Sequence, residues 1–132
     1  MLLIAMLLSA GVLAGQEADP DCANPSGLLE TVECYGQWRD RALAEQRAVL
    51  SRIDQALAML SPKNGTEPAK ARQFLTQAQA SWGDFVEADC AAGEVLFGAG
   101  NAFALDALDC EITHIEARNQ QLLSFEEKYI GT

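Results

Sequence analysis

Leu43-Ala44-Glu45-Gln46-Arg47-Ala48-Val49-Leu50-Ser51-Arg52-Ile53-Asp54-Gln55-Ala56-Leu57-Ala58-Met59-Leu60 decides the fold class. Leu43, Leu50, Ile53, Leu57 and Leu60 keep the three-and-four spacing of one helix face, with Gln46 the single interruption. A strand would alternate every second residue, and no segment of this chain does so over any length. Working backwards, Ser26 is the expected N-cap, with Leu29 and Glu30 in the first turn. The first helix is thus predicted over about 26–60, with Gly36 marking a kink or a close approach.

Working forwards, Ser61-Pro62-Lys63-Asn64-Gly65-Thr66 stops that helix, since Pro and Asn-Gly make turns. Asn64-Gly65-Thr66 also spells a glycosylation sequon, but is read here only as a turn. A second helix is predicted over about 67–90, with Pro68 in its first turn and Leu75, Ala78, Trp82 and Phe85 as its inward seam. The Gly-rich run from Ala91 to Asn101 is predicted to leave the helix. A lid tucked onto the core is preferred there, because exposed apolar patches are uncommon on soluble monomers. If the run is exposed instead, Glu94, Val95, Leu96 and Phe97 are the candidate partner contacts. A third helix is predicted over about 102–129, from Leu105, Leu108, Ile112, Ile115 and Leu122, with Asn119 interrupting. Three helices on short links give an all-α, antiparallel three-helix bundle, one domain over 15–132.

Residues 1–14, MLLIAMLLSAGVLA, are an apolar run ending in small residues, the pattern of a signal peptide cleaved after Ala14. The run is too short to span roughly 30 Å of hydrocarbon. Leu13-Ala14-Gly15 is followed by Gln16 rather than by a cysteine to be lipidated, so a soluble periplasmic or secreted product is expected. Four widely spread cysteines, Cys22, Cys34, Cys90 and Cys110, suit disulfides in an oxidising compartment better than a zinc site, whose cysteines come in close pairs. In an up-down-up bundle all four fall near one end, so spacing leaves all three pairings open. Local closure, Cys22 with Cys34 and Cys90 with Cys110, asks least of the chain.

A formal charge of −10 excludes a nucleic-acid partner, whose phosphates require Lys and Arg, and disfavours anionic lipid. It favours a cationic partner or simply keeps the protein soluble. The acids near Cys90 (Glu87, Asp89, Glu94) and near Cys110 (Asp106, Asp109, Glu111) lack the ordered spacing of an EF-hand and are read mainly as solvated surface. His114 is the one histidine; without a second His, a free thiolate or a Gly-x-Ser-x-Gly elbow, no catalytic set is legible and no cofactor or metal is expected. Trp38 and Trp82 are read as packing anchors.

Asp21-Cys22, Glu30, Cys34, Asp40 and Leu43, then Ala78-Gln79, Trp82, Phe85 and Cys90 in the spacing A-Q-x-x-W-x-x-F-x-x-x-x-C, then Cys110, Arg118 and Leu122, resemble the LprI-like lysozyme-inhibitor family. The likeness runs from about Asp21 to Leu123. Ala44, Arg47 and Val86 depart from residues common in that family, which are Asn, Tyr and Arg. The resemblance implies a helical exported protein, supports pairing Cys22 with Cys34, and marks Glu30, Asp40, Gln79, Trp82, Phe85 and Arg118 as motif positions. It also implies a protein partner, with cationic lysozyme or another envelope hydrolase as the candidate and occlusion rather than catalysis as the mode. The alternative is an envelope assembly factor that binds another protein through the apolar run.

Overall fold

The computed structural model describes residues 22, 26–98, 100 and 102–131. The signal-peptide expectation, on residues 1–14, lies outside them. Three helices make up the described residues: α1 (Leu28–Met59), α2 (Pro68–Phe97) and α3 (Phe103–Phe125), the last widening into one π-helical turn, Glu126–Ile130. No described helix is long and apolar enough to cross a membrane.

Local chemistry sets each helix end. The α1 N-cap is Gly27, one residue later than expected. Ser26 instead donates its backbone N–H to Glu30 at 2.9 Å, a carboxylate reaching back over the first turn. The chain turns extended at Leu60, ahead of Ser61-Pro62, where proline disfavours helical backbone in the residue before it. The α1–α2 turn closes on left-handed Asn64 (φ 50°) and Gly65 (φ 81°). There Thr66 Oγ1 accepts from the Lys63 N–H at 3.0 Å and donates to the Lys63 carbonyl at 2.7 Å. Pro68 then opens α2 where its missing N–H costs no hydrogen bond.

Consecutive helices are antiparallel, so α1 and α3 run parallel to each other. Their cross-links climb together, with Trp38 Nε1 donating to Glu116 at 2.8 Å and Arg52 to Glu126 at 2.8 Å. Ala42, Gln46, Val49, Ile53 and Leu57 of α1 face Ile112, Ile115, Asn119 and Leu122 of α3, all buried. Val49, Ile53, Leu57 and Leu122 form the central cluster, with Leu75, Leu123, Phe125 and Ile130 packed around it. Burying an aliphatic side chain of this size is worth roughly 1.5–3 kcal/mol. This stripe, more than any contact of α2, holds the bundle.

Four details differ from the sequence reading. Gly36 marks no close approach; it lies within continuous α1, and a Cβ there would meet nothing within 4 Å. Leu60 is half exposed at the helix end rather than part of the seam. The α2 seam is shifted: Val86 and Cys90 are buried while Ala78 and Phe85 are exposed. Finally, α2 does not stop at Cys90 but continues through Gly93 to Phe97.

Candidate functional site

Both disulfides form with local pairing, Cys22–Cys34 and Cys90–Cys110, each with Cα atoms 5.8 Å apart. The second ties the α2 and α3 backbones near one end of the bundle, and several motif positions line up beneath it. His114, one turn after Cys110, places Nε2 2.7 Å from Asp89 Oδ2, an α2–α3 bridge. Phe85 meets the same imidazole edge-on, ring centroids 5.3 Å apart. Further down, Arg118 donates through Nε to Gln79 Oε1 at 3.1 Å and through Nη1 to Gln121 Oε1 at 3.1 Å. Burial without a carboxylate partner pulls the Arg118 guanidinium below its usual value.

The structure thus brings Gln79 to Arg118 and Phe85 to His114 along the α2–α3 seam, with Trp82 half-buried between them on α2. Trp38 is an interhelical anchor through its bond to Glu116. The structure does not bring Glu30 or Asp40 to this seam. Glu30 caps α1, and its bond from Ser26 lowers its pKa; exposed Asp40 is paired with neighbouring Arg39 at 3.1 Å.

One feature escaped sequence reasoning. Gln46 and Asn119, scored above as breaks in the apolar stripes, are buried at 4% and 2% exposure. Gln79 Nε2 donates to Gln46 Oε1 at 2.8 Å, Gln46 Nε2 to Asn119 Oδ1 at 3.2 Å, and Asn119 Nδ2 to the Ala42 carbonyl at 2.9 Å. One residue from each helix therefore joins a single polar layer, which Arg118 extends to the surface. Among the described residues no buried side-chain N or O lacks a partner. The signal was present in the sequence: both polar residues fall in phase with the apolar stripe they interrupt.

Cys90, Cys110 and His114 hold ligand-type atoms within 4.8 Å of one another. Both sulfurs are tied in the bridge, whereas a metal requires thiolate. The trio is therefore a packed disulfide corner.

Exposed apolar side chains stand at both ends of the bundle, Met59, Leu60 and Phe74 at the far end and a larger set at the disulfide end. The lid expectation fails: Val95 and Leu96 are 80% and 88% exposed, and Phe97 about half exposed. They form the last turn of α2, stopped by Gly98 at φ 78° with its N–H on the Glu94 carbonyl at 3.1 Å. Leu28 and Leu29 at the start of α1 and Phe103 at the start of α3 are exposed at the same end. The flanks are acidic: residues 26–38, 83–98 and 102–113 contain Glu30, Glu33, Asp84, Glu87, Asp89, Glu94, Asp106, Asp109 and Glu111, and no Lys or Arg. Arg39 and Arg41 follow directly on α1 and Arg118 lies further down α3, while Arg47, Arg52, Lys63, Lys70, Arg72 and Lys128 lie further along the bundle.

The fold defines a class: an all-α three-helix bundle cross-linked by two disulfides. The Lysozyme inhibitor LprI family matches residues 22–122, most of the chain, and this protein is a member of that family. No curated relative and no solved structure matches it.

Proposed function

We propose that this is an exported binding protein that inhibits lysozyme, or another hydrolase of the cell envelope, by occupying its cleft. The observation that carries the reading is membership of the LprI family across residues 22–122. The charge supports it: at −10, the chain is steered toward a cationic enzyme and away from anionic lipid and nucleic acid. Export is part of the same proposal and rests on the apolar run Met1–Ala14 and on disulfides at all four cysteines.

The test is lysis of a cell-wall suspension by egg-white lysozyme at rising molar ratios of the oxidised protein. The proposal expects activity to fall steadily and to level off near one equivalent. Undiminished lysis at a tenfold excess of correctly folded protein contradicts it and redirects attention to a non-hydrolase envelope partner.

A further inference from the structure

Three facts about the disulfide end bear on each other. First, Leu28, Leu29, Val95, Leu96, Phe97 and Phe103, contributed by all three helices, are exposed there together. Leu96 and Leu29 are 88% and 85% exposed, so neither gains from the core; apolar groups gathered this way mark an interaction surface. Second, the nine carboxylates of the flanking stretches have no Lys or Arg among them. Arg39, the first cation down α1, is shared between Asp40 at 3.1 Å and Glu111 at 3.6 Å. Third, the Cys90–Cys110 bridge and the His114–Asp89 contact tie α2 to α3 about two turns below the tip. The backbone that carries the tip is thus tied before binding, which spares part of the ordering cost.

The charge selects the occupant. A second copy of this chain would bring the same carboxylate ring against itself, and like charges across an interface are unfavourable. An anionic membrane is repelled for the same reason. A basic protein with an apolar recess gains on both counts. We propose that this end is the docking surface for a cationic protein: Leu96 and Phe97 enter the partner's recess, Leu29 and Phe103 widen the contact, and the surrounding carboxylates meet its basic rim. This rests on the inhibitor reading and deepens it by assigning the surface.

The experiment is amide NMR of the oxidised full chain titrated with egg-white lysozyme, alongside Leu96→Asp, Phe97→Ser and Phe74→Ser. Phe74, 59% exposed near the opposite end, is the control. All three residues lie at the surface, so the variants keep the fold, and unchanged amide dispersion verifies it. The expected result is shift changes confined to residues 28–33, 94–98 and 102–109. Affinity should fall at least about tenfold for Leu96→Asp and Phe97→Ser and less than about twofold for Phe74→Ser, as for central against peripheral contacts. Lysozyme binding with shifts elsewhere, or with Leu96→Asp unaffected, overturns the assigned surface and leaves the inhibitor reading standing. Absence of lysozyme binding overturns both. Concentration-dependent shifts of the same residues without lysozyme, or their broadening on anionic phospholipid vesicles, overturns the choice of occupant.

Discussion

Gln46 and Asn119 stand where the periodicity of α1 and α3 calls for a leucine, and the fold uses them to join the helices. An apolar stripe can slide by a turn at modest cost, whereas an amide pair that leaves its partner strands buried polar groups. Asn119→Ala removes the acceptor of Gln46 Nε2 and the donor to the Ala42 carbonyl. It should lower stability by about 2 kcal/mol, read as a lower urea midpoint. Gln46→Leu combined with Asn119→Leu should recover only part of that loss, because it removes the buried amide pair but leaves Gln79 Nε2 without its Gln46 acceptor. At the same scale, Arg52 grips Glu126 with two bonds of 2.8 Å, fastening the π-helical turn to α1. The Arg52 bond lowers the Glu126 pKa. A carboxyl depressed on folding adds stability above its unfolded value, near 4.3, and loses it as pH falls through the lower folded value. Glu126→Gln should therefore unfold earlier than the parent at pH 7, by up to about 1 kcal/mol. The two melting curves should converge below about pH 4.

At the scale of the element, the helices and their order were legible from spacing and turn residues alone, and the α1 and α3 stripes were nearly right. The misreadings cluster on α2. Its inward line runs through Leu75, Gln79, Val86 and Cys90, but Gln79 is polar and hid the phase. The segment after Cys90 looked too rich in glycine to be helical. Yet one helical glycine costs only about 1 kcal/mol against alanine, and Ala91, Ala92, Glu94 and Leu96 are all good helix formers. Because a Cβ at Gly93 meets nothing within 4 Å, Gly93→Ala should stabilise the protein by about 0.5–1 kcal/mol in thermal melts. Gly98→Ala should do the opposite by about 1 kcal/mol, since Gly98 sits at φ 78°, where an L side chain is strained.

For the whole molecule, the Cys90–Cys110 bridge spans 20 residues, and closing a loop of that size is worth about 3 kcal/mol. Cys90→Ser with Cys110→Ser should lower the urea midpoint accordingly and release the tip of α2, seen as faster amide exchange from Ala91 to Phe97. The site was only half legible. The motif residues and the candidate contacts Glu94–Phe97 were all in view in the sequence, and the pairing Gln79–Arg118 was not. The exposure of the tip was missed because it depends on which face the last turn of α2 presents, and that is settled only when α1 and α3 are in place. The clearing of basic residues from one end likewise becomes visible only once the helices are laid side by side.

Docking of a cationic enzyme by charge and apolar contact together is tested by calorimetric titration of egg-white lysozyme into the oxidised protein. It would be run at about 0.01 M and about 0.15 M salt, where the screening length falls from about 30 Å to about 8 Å. Docking by both contacts predicts one-to-one binding at both, weakened at least about tenfold at the higher salt but not abolished, because the apolar contact persists. No binding at either salt, or an affinity indifferent to salt, would contradict it.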